Sequence, residues 1–220
     1  LEHPAPKHED SKPLVAATMF GVTTPAVQKV QAYLESKGYE VLVFHATGTG
    51  GKCMESLING GFINGVLDLT TTEWCDEIAG GVLNAGPDRC SAAALNGVPA
   101  VVSVGADDMV NFGPWNTVPE HYQGRNLYRH NPTVTLMRTT VEENEKIGHA
   151  IASKVNMSIG PCAVMLPLKG VSMIDAEGQP FYAPEEDAAL FKTLGEEIDP
   201  TKAELIEIGT HVNDDEFAIA

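Results

Sequence analysis

Val41-Leu42-Val43-Phe44-His45-Ala46-Thr47-Gly48-Thr49-Gly50-Gly51-Lys52 is a short apolar run that ends in a glycine-rich turn, with a lysine and a helical pattern directly behind it. A strand feeding a helix through such a turn aims backbone N–H groups, and the positive end of the helix dipole, at one place. Glycine allows close backbone approach there. Thr47 and Thr49 add hydroxyls, Lys52 a point charge and His45 a titratable ring. The spacing is neither G-x-x-x-x-G-K-[ST] nor G-x-G-x-x-G, so a tight strand-to-helix turn is the competing explanation for the glycines.

The same alternation continues on both sides of this stretch. Leu14–Met19 reads as a strand, and Thr24 with Pro25 opens a helix that carries Val27, Val30 and Leu34 and stops at Gly38. Gly65–Leu69 reads as a third strand. Asp88 caps a helix through Ala92–Leu95, Val98–Val104 is a strand buried on both faces, and Thr140 with Glu143 forms a capping box. Cys162–Leu166 and Ala203–Ile208 are further strands, with a helix from Pro184 between them. Residues from Gly105 to about Pro132 read as a long irregular loop, the usual place for a lid. The pattern predicts one α/β domain over 13–220, a doubly wound, mostly parallel, Rossmann-like sheet of about six strands with helices on both faces. Residues 1–12 are polar, contain Pro4 and Pro6, and read as a linker or expression remnant.

Composition removes several function classes. With 14 Lys and Arg against 30 Asp and Glu the net charge is −16, and no basic cluster offers a local exception, so nucleic acid and anionic membranes are not expected partners. No apolar run approaches the ~18 residues of a membrane span. The 4 cysteines are scattered without a C-x-x-C pair, which argues against a disulfide framework or closed zinc site and favours a reducing cytoplasm. No G-x-S-x-G elbow is present, and Cys53 reads as a packing residue.

In open parallel sheets ligands lie beyond the carboxyl ends of the strands, and polar residues gather there in this chain. Thr70, Thr71, Thr72 and Glu73 follow the third strand, where they either hold ligand hydroxyls or cap a helix. Asp107-Asp108 follow the next strand; a divalent metal on them is not expected, because paired acids are common in so acidic a chain. Arg89, in Gly86-Pro87-Asp88-Arg89, either reaches an anion or pairs with an acid. Arg138 precedes the Thr140 cap, and His121, Tyr122, Arg125 and His130 suit a lid or an oligomer contact. Lys169, Ser172, Asp175, His211, Asn213 and Asp214 follow the last two strands.

Several of these strings also carry a resemblance. Ala17-Thr18-Met19-Phe20-Gly21-Val22-Thr23-Thr24-Pro25, Phe44-His45-Ala46-Thr47-Gly48-Thr49-Gly50-Gly51, Asp68-Leu69-Thr70-Thr71-Thr72-Glu73 and Ala85-Gly86-Pro87-Asp88-Arg89 resemble an uncharacterised family related to the tomato protein that inhibits replication of tomato mosaic virus. Thr135-Leu136-Met137-Arg138-Thr139-Thr140 and Lys169-Gly170-Val171-Ser172 resemble it too, from about Pro13 to the end of the chain. The resemblance implies an α/β fold, a cytoplasmic setting, self-association and a protein described as ATP-binding, of which this chain is the second of two domains. Three functions follow as expectations. The first is binding of a small anionic molecule, ATP or another phosphate-bearing ligand, shared with the missing N-terminal domain. The second is an enzyme acting on a small phosphorylated or acidic metabolite through His45, Lys52, Glu73 and Asp107. The third is a protein-interaction module.

Overall fold

A computed structural model describes residues 12–220; the expected linker at 1–11 lies outside the described residues. The elements, in chain order, are β1 (Leu14–Met19), α1 (Thr24–Ser36), β2 (Glu40–His45), α2 (Thr49–Asn59), β3 (Gly65–Thr70), α3 (Glu73–Ala79), α4 (Ala92–Asn96), β4 (Ala100–Gly105) and β5 (Met109–Phe112). They continue with β6 (Leu127–Asn131), β7 (Val134–Arg138), α5 (Val141–Val155), β8 (Cys162–Pro167), α6 (Pro184–Glu197), β9 (Glu204–Ile208) and α7 (Asp215–Ile219). Six strands form one parallel sheet in the order β2-β1-β3-β4-β8-β9. This is the doubly wound α/β arrangement expected from the alternating pattern. The chain winds one way from β1 to β2 and back across β1 to β3, which puts the topological switch between β1 and β3.

One face of the sheet carries α2 to α6. Val66, Val102, Val104, Val164 and Leu166 pack there against Met54, Ile58, Ile147, Ile151 and Leu190. The opposite face carries α1 and α7, with Ala17, Leu69 and Met165 against Ala26, Val27, Val30 and Phe217. Glycine ends the elements where predicted: Gly38 (φ +91°) follows α1 and Gly97 (φ +67°) closes α4. The Thr140 capping box is present, with Glu143 N–H donating to Thr140 Oγ1 at 3.2 Å and Thr140 N–H to Glu143 Oε2 at 2.8 Å. The expected Asp88 and Thr24 caps are not: α4 starts after Ser91 and α1 after Thr23, neither with a side-chain cap bond.

The segment expected to be a long loop departs most. It holds a second sheet, antiparallel, in the order β5-β7-β6. Met109 and Leu136 from that sheet pack with Phe181 on Val22, just past β1, so the small sheet caps the carboxyl edge of the large one. Two of the lid candidates are scaffold, since the Tyr122 hydroxyl donates to the Ala79 carbonyl at 2.7 Å and Arg125 pairs with Glu143 at 2.7 Å, whereas His121 and His130 are exposed.

Candidate functional site

The glycine turn does grip an anion, but the anion is the protein's own. Glu73, the first residue of α3 and only 1% exposed, turns its carboxylate under the β2–α2 turn. Its Oε1 accepts the N–H of Gly48 at 2.6 Å and of Gly51 at 3.1 Å. The glycines follow from this packing: a Cβ on Gly51 would stand 2.3 Å from Glu73 Oε2, one on Gly50 1.8 Å from the His45 carbonyl oxygen, and one on Gly48 2.5 Å from that of Asn84. The expectation that the Gly48 and Gly51 amides await a ligand is therefore corrected. The amides of Thr49 and Gly50 have no hydrogen-bond partner among the described residues. Lys52, Thr49 and His45 are exposed on the same edge, His45 against the Phe20 ring.

Glu73 is one arm of a buried ionic cluster. Arg89, 1% exposed, donates Nε to Glu73 Oε2 at 2.6 Å, Nη2 to Asp68 Oδ1 at 2.5 Å and Nη1 to Asp68 Oδ2. Asp68 Oδ1 also accepts the Thr18 hydroxyl at 2.8 Å. Burial alone would lower the guanidinium pKa, but the carboxylates of Asp68 and Glu73 outweigh it and hold Arg89 charged, well above its ordinary range. Such a cluster adds little net stability, yet losing Arg89 would leave two buried carboxylates without a counter-charge. Arg89 is thus an internal ion-pair partner rather than an anion receptor.

The crevice at the topological switch is closed from within. Thr23 and Thr70 share a hydroxyl hydrogen bond of 2.8 Å, and the Thr71 hydroxyl reaches the Ser103 carbonyl and Asp107 Oδ2 at 2.8 and 2.9 Å. The Thr72 hydroxyl donates to the Met109 carbonyl at 3.2 Å. The segment after β8 crosses the opening, with Ala106 N–H donating to the Val171 carbonyl and Met173 N–H to that of Val22. Asp107 is buried under Thr71, and burial pushes its carboxyl up. Thr70, Thr71, Thr72, Glu73 and Asp107 all lie at the carboxyl edge as expected, but their polar atoms are turned on one another. Among the described residues no group of three or more His, Cys, Asp or Glu is arranged to hold a metal ion.

Open space lies further along the same edge. A cavity of about 690 Å³ opens between the ends of β8 and β9 and the start of α6. Tyr182, Phe191 and Met173 give it apolar wall; Lys169, Asp187 and His211 are among its polar groups. The ring of His211 is fixed: Asn213 N–H donates to Nδ1 at 3.1 Å, so Nε2 carries the proton and donates to the Ser172 carbonyl at 2.8 Å. Asp187, in the first turn of α6, receives Nη2 of Arg138 at 2.5 Å. Arg138 is itself buried, with Nε on the Phe181 carbonyl at 2.8 Å and Asp175 at 3.7 Å. It braces the cavity wall instead of facing a ligand.

Three carboxyls, Asp108, Asp175 and Asp187, surround this one guanidinium. Burial pushes the carboxyls of Asp108 and Asp187 up, and the charge of Asp175 adds to both, against the pull of Arg138. Asp187 is therefore an ion-paired carboxyl, its pKa pushed up by burial, in the wall of an open cavity. Sequence reasoning missed it because Glu185, Glu186 and Asp187 read as ordinary acids in the first turn of a helix. Only the fold shows that Asp187 alone of the three turns inward.

A profile described as "Uncharacterised protein family (UPF0261) C-terminal domain" matches residues 12–220. A UPF0261 protein of Clostridium tetani is 60% identical over 98% of this chain and 54% of its own length. One from Rhizobium meliloti is 52% identical over 96% of this chain and 53% of its own length. The tomato ToMV resistance protein Tm-1(GCR237) is 49% identical over 94% of this chain and 28% of its own length. The chain spans about half the length of the bacterial relatives it matches. Among solved structures, a thioesterase domain from the curacin biosynthetic pathway aligns at 11% identity and a TM-score of 0.30, too loose a likeness to carry an argument. Profile and relatives agree over nearly every described residue: the chain belongs to UPF0261, as the C-terminal domain of that uncharacterised family.

Proposed function

We propose that this domain binds a small metabolite at the carboxyl edge of its parallel sheet, in the cavity between β8, β9 and α6, as one half of a longer protein. The observation that carries this reading is Asp187, a buried carboxyl with a raised pKa in the wall of a cavity of about 690 Å³. A concave, half-apolar pocket with a few convergent polar groups and a perturbed acid is the usual form of a ligand site. Lys169 is countered there by Glu177 and Asp214, so a highly charged phosphate chain is a poor match. A ligand with one anionic group for Lys169 and several hydroxyl or amino donors for the acids is a good one, and Tyr182 and Phe191 suit its carbon skeleton. A carboxyl that keeps its proton near neutral pH can also serve as a general acid, which links this site to the enzyme reading.

Calorimetry with hydroxy acids, sugar acids and sugar monophosphates tests this, on the wild type and on Lys169→Ala and Asp187→Asn. Binding weakened at least tenfold by both substitutions is the expected result. Binding that neither substitution alters, or none by the chain and by the full-length protein, removes the proposal.

Nucleotide phosphate is a second reading, supported by the unpartnered amides of Thr49 and Gly50 beside the exposed Lys52. It predicts ATP binding that falls with Lys52→Ala and is indifferent to Asp187→Asn. The cysteines among the described residues are all free, which supports a reducing, cytoplasmic setting. No helix among the described residues is long and apolar enough to cross a membrane.

A further inference from the structure

We propose that the α1–α7 face of the parallel sheet is the seat of the amino-terminal half of the full-length protein. Parallel sheets bury both faces, because their crossover helices cover them. Five helices cover one face here, while among the described residues α1 and the five-residue α7 cover the other. Leu67, Val101 and Ala163 on that face remain only half-buried. Two hollows, of about 190 and 440 Å³, lie over them. Both are lined by Leu34, Leu67 and Val101, so they join into a single trough. Apolar side chains stand open along its rim: Tyr33 is 42% exposed, Tyr39 39% and Ile219 48%.

The chemistry of the trough is that of a protein interface. The Ser103 hydroxyl is spent on the Met165 carbonyl at 2.7 Å, and Glu204 stands at the margin. Nothing in the floor would orient a small polar ligand. A continuous apolar surface of this kind marks a site for another protein surface.

The occupant follows from where the trough opens. Its mouth, at Val15, Tyr39, Gly65 and Pro99, is the amino edge of the sheet. β1 starts at that mouth: the Pro13 carbonyl accepts Glu40 N–H at 3.0 Å, and Leu14 N–H donates to Asn64 Oδ1 at 2.8 Å. Bacterial relatives are about twice as long as this chain, and the matching region is their C-terminal domain. The rest of such a protein enters through Pro13, beside the uncovered face. A short covalent link holds it there at about millimolar effective concentration, an advantage that a second copy of the chain lacks. The trough is distinct from the carboxyl-edge cavity, so this inference does not depend on the ligand proposed above.

Thiol labelling tests it. Tyr39→Cys and Ala163→Cys place probes at the mouth and on the floor, and exposed Cys53 on α2, over the opposite face, is the internal standard. Alkylation rates are compared between the 220-residue chain and the full-length protein, with circular dichroism confirming that each variant is folded. Both probes are expected to react at least tenfold more slowly in the full-length protein, with Cys53 unchanged. Equal rates in the two proteins overturn the proposal. Probes already protected in the 220-residue chain, under conditions where sedimentation shows a dimer, overturn it in favour of a second copy.

Discussion

Asp76→Asn should make the domain more stable as the pH rises, relative to the wild type. Asp76 on α3 is fully buried, with Oδ1 accepting the Asn111 N–H at 2.8 Å and Oδ2 the Asn111 Nδ2 at 2.7 Å. Burial raises its pKa from 3.8 to about 7, against those two hydrogen bonds. A carboxyl raised in the folded state keeps a proton that the unfolded chain has released, so folding carries no penalty below 3.8 and loses stability as the pH climbs through 7. A shift of about three units corresponds to about 4 kcal/mol, of which about 2.5 kcal/mol falls between pH 5 and 8. The amide of Asp76→Asn has no such dependence. Its Oδ1 keeps the Asn111 N–H, and its NH2 faces Asn111, whose own Oδ1 has no partner among the described residues. Turning over the Asn111 amide supplies an acceptor and only exchanges which of its atoms is unpaired. Urea unfolding followed by the fluorescence of buried Trp74 measures the effect. The difference between variant and wild type should move in the variant's favour by about 2–3 kcal/mol from pH 5 to 8. Parallel pH profiles would refute the assignment of a raised pKa to Asp76.

The glycine turn and its buried carboxylate give three more expected outcomes. Gly50→Ala drives a methyl into the His45 carbonyl and should cost about 3 kcal/mol or more, read as a lowered urea midpoint. Glu73→Ala strips Arg89 Nε and two backbone amides of their acceptor, while Asp68 keeps Arg89 paired, and should cost about 2–4 kcal/mol. Acetate, as a replacement carboxylate, should raise the melting temperature of that variant well beyond its effect on the wild type, and an equal effect on both would count against the anion cradle. Thr140→Ala removes the α5 capping box and should cost about 1 kcal/mol in equilibrium unfolding, without altering ligand binding at the carboxyl edge.

The frame of the molecule was legible because its signals are local. Leu14–Met19 is apolar but for Thr18, as suits a strand buried on both faces, and Gly38 and Gly97 stop helices by taking φ values that other residues resist. The small sheet was not legible. β5 and β6 are short, the pairing of β5 with β7 is long-range, and Tyr128, Arg129 and His130 in the β6–β7 hairpin read as loop chemistry. Within the site, the tendency of the Gly48–Gly51 turn to gather N–H groups was legible, since it depends on backbone dipoles within a few residues. Its occupant was not, because Glu73 lies 22 to 25 residues away and reaches the turn only once β3 is laid beside β1. Asp187 was hidden for the same reason: burial, not sequence, separates it from Glu185 and Glu186.

A chain with a net charge of −16 has more carboxylates than its surface requires, and the interior shows where some of them went. Asp68, Glu73, Asp107, Asp108 and Asp175 are all buried at or near the carboxyl edge of the sheet. That edge is where strand-to-helix turns point their N–H groups, so it is the one region of an α/β domain able to stabilise buried negative charge without many arginines. Arg89 and Arg138 supply the rest, each with several acids about it. A carboxylate tethered in the fold outcompetes a free anion for the same amides, because its encounter is intramolecular and its desolvation is settled on folding. The acids fill the switch-point crevice, and the open cavity of this edge lies further along it, at the ends of β8 and β9. In the proposed site Asp187 is paired with Arg138, the guanidinium that Asp108 and Asp175 also surround. On the proposed ligand reading, affinity at this cavity should follow the protonation of Asp108 and Asp187 together rather than of Asp187 alone, which calorimetry across the pH range of their titration would show.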